Sequence, residues 1–134
     1  RLGDSIHLLA YGLDKSSVGG ILTLTLYWST ASQIPNSYTV FAHIVDGEGR
    51  IVAQKDNQPG GGTLPTREWR TDKVIPDEYE IPIGALPAGR YRIEVGMYDH
   101  QTGERLVVEG EGAGSQRQIR LPTPLEIGVS QRVT

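Results

Sequence analysis

The sequence predicts an all-β domain built as a two-sheet antiparallel β-sandwich of about eight strands. Three observations lead there. Segments of strand length and alternating polarity recur about every dozen residues, each bounded by turn residues. The chain holds 17 glycines and 8 prolines in 134 residues, so it reverses often. No amphipathic segment is long enough for a helix, and a parallel sheet would need crossover helices. An immunoglobulin- or fibronectin-like sandwich satisfies this pattern, and a small closed barrel is the alternative.

The first strand is expected at Ile6–Leu13. Gly20–Ser29 shows the clearest alternation: Leu22, Leu24, Leu26 and Trp28 share one parity, with Thr23, Thr25 and Tyr27 on the other. Tyr38–Asp46 is apolar on both parities, which predicts a central strand with both faces at least partly covered. Asp46-Gly47-Glu48-Gly49 is a hairpin turn, and Arg50–Lys55 returns from it. Lys73–Ile83 is broken by Pro76 and Pro82, which lack the N–H a ladder needs, so it is expected as an edge strand or an interrupted one. In Arg90–Asp99, Tyr91, Ile93, Val95 and Met97 share the core-facing parity. Further strands are expected at Glu104–Glu109 and Ser115–Leu121, joined by the flexible acidic stretch Glu109–Gly114.

This length suits one domain with one core, expected over residues 1–121. Residues 122–134 read as an irregular tail with one short strand at Leu125–Val129. Position 1 is Arg and no leader follows, so the chain is expected to be a piece of a longer protein. No apolar run approaches the ~18 residues of a membrane span, so no transmembrane segment is expected in this fragment. The absence of cysteine excludes disulfides, thiolate nucleophiles and Cys-ligated metal centres. Net charge is −3 and the 13 Lys and Arg are scattered, which argues against nucleic acid as a partner.

Catalytic signatures are missing. There is no Gly-x-Ser-x-Gly elbow, and Gly60-Gly61-Gly62 lacks the Lys of a phosphate loop. His7, His43 and His100 are far apart, and nothing singles out a pair among 16 acids. No catalytic residue, cofactor or metal is therefore assigned, and the chain is read as not an enzyme. Asp46, Glu48, Asp56, Asn57 and Asp77 lie in or near turns and could ligate calcium, but turn and cap chemistry accounts for them more simply.

Trp69 ends a long irregular segment, Gln54 to Arg70, that includes Pro59, Pro65 and three consecutive glycines. Its indole suits stacking on a sugar, yet Trp is highly buried on average, so a plug at one end of the sandwich is the favoured reading. Trp28, in parity with three leucines, is core. If the aliphatic parities face inward, Phe41, His43, Arg92, Glu94 and Tyr98 face outward together, with Tyr27 beside them if its strand is a neighbour. These six, with Trp69 as a rim, are the candidate ligand-binding residues: aromatic rings for pyranose faces, Arg92 and Glu94 for hydroxyls. The competing reading of that face is an interface, covered by the same chain or by its host.

Five stretches, in this order and spacing, carry a family likeness: Leu22–Trp28, Tyr38–Asp46, Gln54–Gly62, Pro65–Trp69 and Pro87–Asp99. Over roughly residues 2–109 the chain resembles C-terminal, extracytoplasmic β-sandwich modules of large bacterial membrane proteins. Those modules are often appended to glycosyltransferases of the dolichyl-phosphate-mannose protein mannosyltransferase type. The resemblance implies an accessory module outside the membrane, attached to a host chain, with the transferase chemistry elsewhere. It supplies no ligand-binding residues. Two functions follow as expectations: recognition or positioning of glycans, or a structural spacer or protein–protein interaction domain without a small ligand.

Overall fold

A computed structural model describes residues 1–15 and 20–128. Its strands are β1 (Ile6–Lys15), β2 (Ile21–Thr30), β3 (Tyr38–Val45), β4 (Ile51–Asn57), β5 (Ile75–Pro82), β6 (Gly89–Asp99), β7 (Ile119–Arg120) and β8 (Leu125–Ile127). One antiparallel sheet has the order β1-β2-β5. The other has the order β4-β3-β6-β7, with β8 pairing the start of β6. Among the described residues the only helical pieces are short 3-10 turns at Pro59–Gly62 and Thr66–Glu68. The chain is a β-sandwich.

The core follows from parity. Leu22, Leu24, Leu26 and Trp28 of β2 stand opposite Ile81, Tyr79, Asp77 and Ile75 of β5. Across the sandwich, Val40, Ala42 and Ile44 of β3 stand opposite Met97, Val95 and Ile93 of β6. All of these are buried. Each large aliphatic or aromatic side chain so placed contributes about 1.5–3 kcal/mol relative to exposure. Among the described residues, β5 pairs only with β2 and leaves its other side at the sheet edge, a place its prolines suit.

One core-facing position of β5 is a carboxylate. Asp77 accepts hydrogen bonds from the Trp28 Nε1–H (3.1 Å), the Tyr79 hydroxyl (2.6 Å) and the Gly60 amide (2.8 Å). The last bond ties the Pro59–Gly62 turn to the core. Gly60 sits at φ 67, in the left-handed region where a side chain is strained, and a Cβ there would meet Thr63 Oγ1 at 2.9 Å. Asp77 is thus an internal anchor, not a turn residue or a surface ligand. Asp46, by contrast, does the turn chemistry expected of it, accepting from the Glu48 and Arg50 amides at 2.9 and 2.9 Å.

The second half of the chain departs from the expected strands. Glu104–Glu109 makes only isolated bridges, Tyr98 to Arg105 and Leu2 to Val108. Ser115–Leu121 contracts to the two residues of β7. The physical reason is that residues 104–106 hydrogen-bond only the end of β6, Asp99 N–H to the Glu104 carbonyl and Leu106 N–H to the Met97 carbonyl, before the chain to 118 crosses the outer face of the larger sheet. Arg105 places its guanidinium 4.2 Å from the Phe41 ring centroid, a cation–π contact. Arg105 and Arg117 each donate to main-chain carbonyls of the other limb, Gln116 O at 2.9 Å and Arg105 O at 2.8 Å. Gly96 makes room: a Cβ there would lie 2.4 Å from Phe41 Cζ and 3.2 Å from the Arg117 carbonyl oxygen. The expected tail strand at Leu125–Val129 appears as Leu125–Ile127, and Val129 lies outside the described residues.

Candidate functional site

The expected outward patch does not form as one surface. Tyr27 belongs to the smaller sheet, so it cannot join residues of β3 and β6; it is 37% exposed, between Ala10 and Pro76. Phe41 and His43 do lie on the outer face of the larger sheet, but the 104–118 segment covers that face and leaves them 1% and 6% exposed. Their rings pack together at 4.7 Å between centroids. The competing reading, coverage by the same chain, therefore holds for this face. Glu94 is committed to Arg120 of β7 at 3.1 Å. Trp69 is the plug: it is 3% exposed, donates from Nε1 to the Leu64 carbonyl at 2.8 Å, and packs at 6.3 Å from Trp28.

Two open concavities divide what remains. Arg92 lines a groove of about 1010 Å³ along the flank, between Leu8–Tyr11 of β1 and residues 109–122. Much of that wall is occupied with itself. Arg1 pairs with Glu109, Arg120 with Glu94, and the Tyr11 hydroxyl shares a hydrogen bond with Thr123 Oγ1 at 2.7 Å.

Tyr98 lines a smaller cleft of about 470 Å³ with Thr39, Asp56, Asn57, Gln58, Gly62 and His100. Here the strand ends converge. Thr39 at the start of β3 is the register partner of Tyr98 near the end of β6. Asp56 and Asn57 close β4, and the Pro59–Gly62 turn, anchored through Asp77, forms the wall beyond them. The Tyr98 hydroxyl donates to Asp56 Oδ2 at 3.3 Å. Partial burial, then the Asp56 charge, pushes the Tyr98 phenol pKa above 10.0, so it remains a donor at neutral pH. The cleft offers one ring, one carboxylate, two amides and an imidazole on a sheet-anchored frame. Such a set can stack on a flat apolar face and exchange hydrogen bonds with hydroxyls. Outward parity in the sequence marks Tyr98. Parity does not mark Asp56, Asn57, Gln58 and His100, which sit in turn-rich stretches; the register partnership of Phe41 with Asp56 is visible only once β4 is paired to β3.

Behind the cleft, His43 Nε2 lies 3.9 Å from Asp56 Oδ1. Burial pulls the His43 pKa below 6.5; Asp56 opposes this, Arg105 reinforces it, and Glu94 opposes it. Folding thus favours the neutral ring. Between the folded value and 6.5 the unfolded chain binds a proton that the fold does not. The contribution is complete above pH 6.5 and is lost as pH falls through the folded value. Urea midpoints should therefore drop from pH 7.5 to pH 5, and drop less in His43→Gln. Equal drops in the two proteins would contradict this assignment.

The fold and cleft define a β-sandwich domain with a polar cleft at one end of its larger sheet. No protein-family model matches the chain, and no curated protein matches it. Among solved structures it is similar to part of a Bacteroides fragilis protein provisionally described as a β-galactosidase. The identity is 12% and the TM-score 0.47, over 87% of this chain. The chain spans 16% of that protein's length.

Proposed function

We propose that this chain is a non-catalytic accessory module of a larger extracytoplasmic protein and that its Tyr98 cleft recognises carbohydrate. The observation that carries the reading is the convergence of Tyr98, Asp56, Asn57, Gln58 and His100 on one open cleft. Saccharides need an aromatic platform and convergent polar groups, and the cleft volume falls within the ~300–1,000 Å³ usual for small-ligand sites. The resemblance to modules appended to membrane glycosyltransferases supports the accessory role and the location outside the membrane. The isolated domain on a glycan array should retain a saccharide, and Tyr98→Ala should weaken that binding about tenfold while leaving the fold intact. A folded Tyr98→Ala protein with unchanged affinity would overturn the site.

A second reading, an interaction domain without a small ligand, draws on the flank groove. There Leu9, displaced by a β-bulge in edge strand β1, is 53% exposed. A blank glycan array would favour it.

A further inference from the structure

We infer that the saccharide taken by this cleft is cationic, carrying a free amine, and that Asp56 is the group that selects it. The inference rests on the carbohydrate reading above and names its ligand class. Asp56 is the lone carboxylate among the cleft's described lining residues, and no Lys or Arg lines it. Its Oδ2 holds the Tyr98 hydroxyl, and its side chain remains 33% exposed.

The nearby cations are directed elsewhere. Arg105 lies over Phe41 and donates to the Gln116 carbonyl. Arg120 is paired with Glu94, and Lys55 lies on the opposite parity of β4. The group directly behind Asp56 is the His43 imidazole, whose burial favours its neutral form. No Lys or Arg lining the cleft cancels the Asp56 charge, and the ionisable group that shares the cleft with it is the His100 imidazole. An ammonium placed there gains a charge-assisted hydrogen bond, roughly twice as strong as one between neutral groups. A uronate or sulfated sugar meets repulsion instead.

The test is isothermal titration of the 134-residue domain at pH 6.5 with three hexasaccharides: glucosamine, N-acetylglucosamine and galacturonate. The glucosamine hexamer should bind about tenfold more tightly than its acetylated counterpart, and the galacturonate hexamer should not bind measurably. The preference should shrink with added salt and vanish in Asp56→Asn, which keeps an acceptor for Tyr98. Acetylated or acidic hexamers binding as tightly as the amine, or a preference that survives Asp56→Asn, would overturn the inference while the carbohydrate reading stands. No binding of any hexamer together with a blank glycan array would overturn both.

Discussion

Asp77→Ala should lower the unfolding free energy by about 3–5 kcal/mol in urea titrations at pH 7. The substitution orphans three donors, the Trp28 indole, the Tyr79 hydroxyl and the Gly60 amide, around a position that is 1% exposed. Each buried unsatisfied donor costs about 1–3 kcal/mol, and the three share one site, so their costs do not simply add. Part of the loss is returned, because the carboxylate itself is expensive to bury. Desolvation raises the Asp77 pKa above 3.8, against the hydrogen bonds from Tyr79, Gly60 and Trp28 that lower it. With a raised folded value, the fold binds the proton more tightly than the unfolded chain. The Asp77 contribution is therefore greatest below pH 3.8 and declines as pH rises through the folded value. Asp77→Asn should cost less than Ala, since it keeps an acceptor, and should remove that pH dependence. The Gly60 amide should also exchange with solvent faster in Asp77→Ala, loosening the turn that walls the cleft. A stability change below about 1 kcal/mol would show that the three donors find other partners.

Trp69→Ala should cost about 3–5 kcal/mol, the range for emptying a buried aromatic site. The indole closes one end of the sandwich against Trp28, and its N–H is satisfied by the Leu64 carbonyl in the turn just before it. Trp69→Phe should recover most of the packing while losing the hydrogen bond. Trp69 and Asp77 both bear on Trp28, so the double substitution should cost less than the two singles combined. Thermal and urea melts measure all three variants. A near-zero stability change in Trp69→Ala, with lost glycan affinity, would move Trp69 from plug to binding site.

The fold was legible because its information is local. The Leu22-to-Trp28 alternation, the apolar run at Tyr38–Val45 and the prolines at 76 and 82 each determine a strand's place from its own residues. The site was less legible because it depends on pairing. Phe41 and His43 carry outward parity, but parity says nothing of Arg105 and Arg117 folding back over them. Val107 and Val108 read as strand from composition, yet the chain there serves as a cover and gains its bonds from scattered bridges. Asp77 reads as one of the turn acids in the sequence, although it shares its parity with Ile75, Tyr79 and Ile81. A carboxylate in a core row is counterintuitive until its three donors are seen. Tyr98 could be recognised as outward, but the polar residues that make it a cleft come from β4 and the following turn.

The central claim is that the Tyr98 cleft holds the ligand. The most direct measurement is an amide-resolved NMR titration of the domain with the saccharide retained on the array. The account predicts saturable shifts centred on Thr39, Asp56, Asn57, Gln58, Gly62, Tyr98 and His100. Shifts centred instead on Leu8–Tyr11 and residues 110–121, along the flank groove, would contradict it.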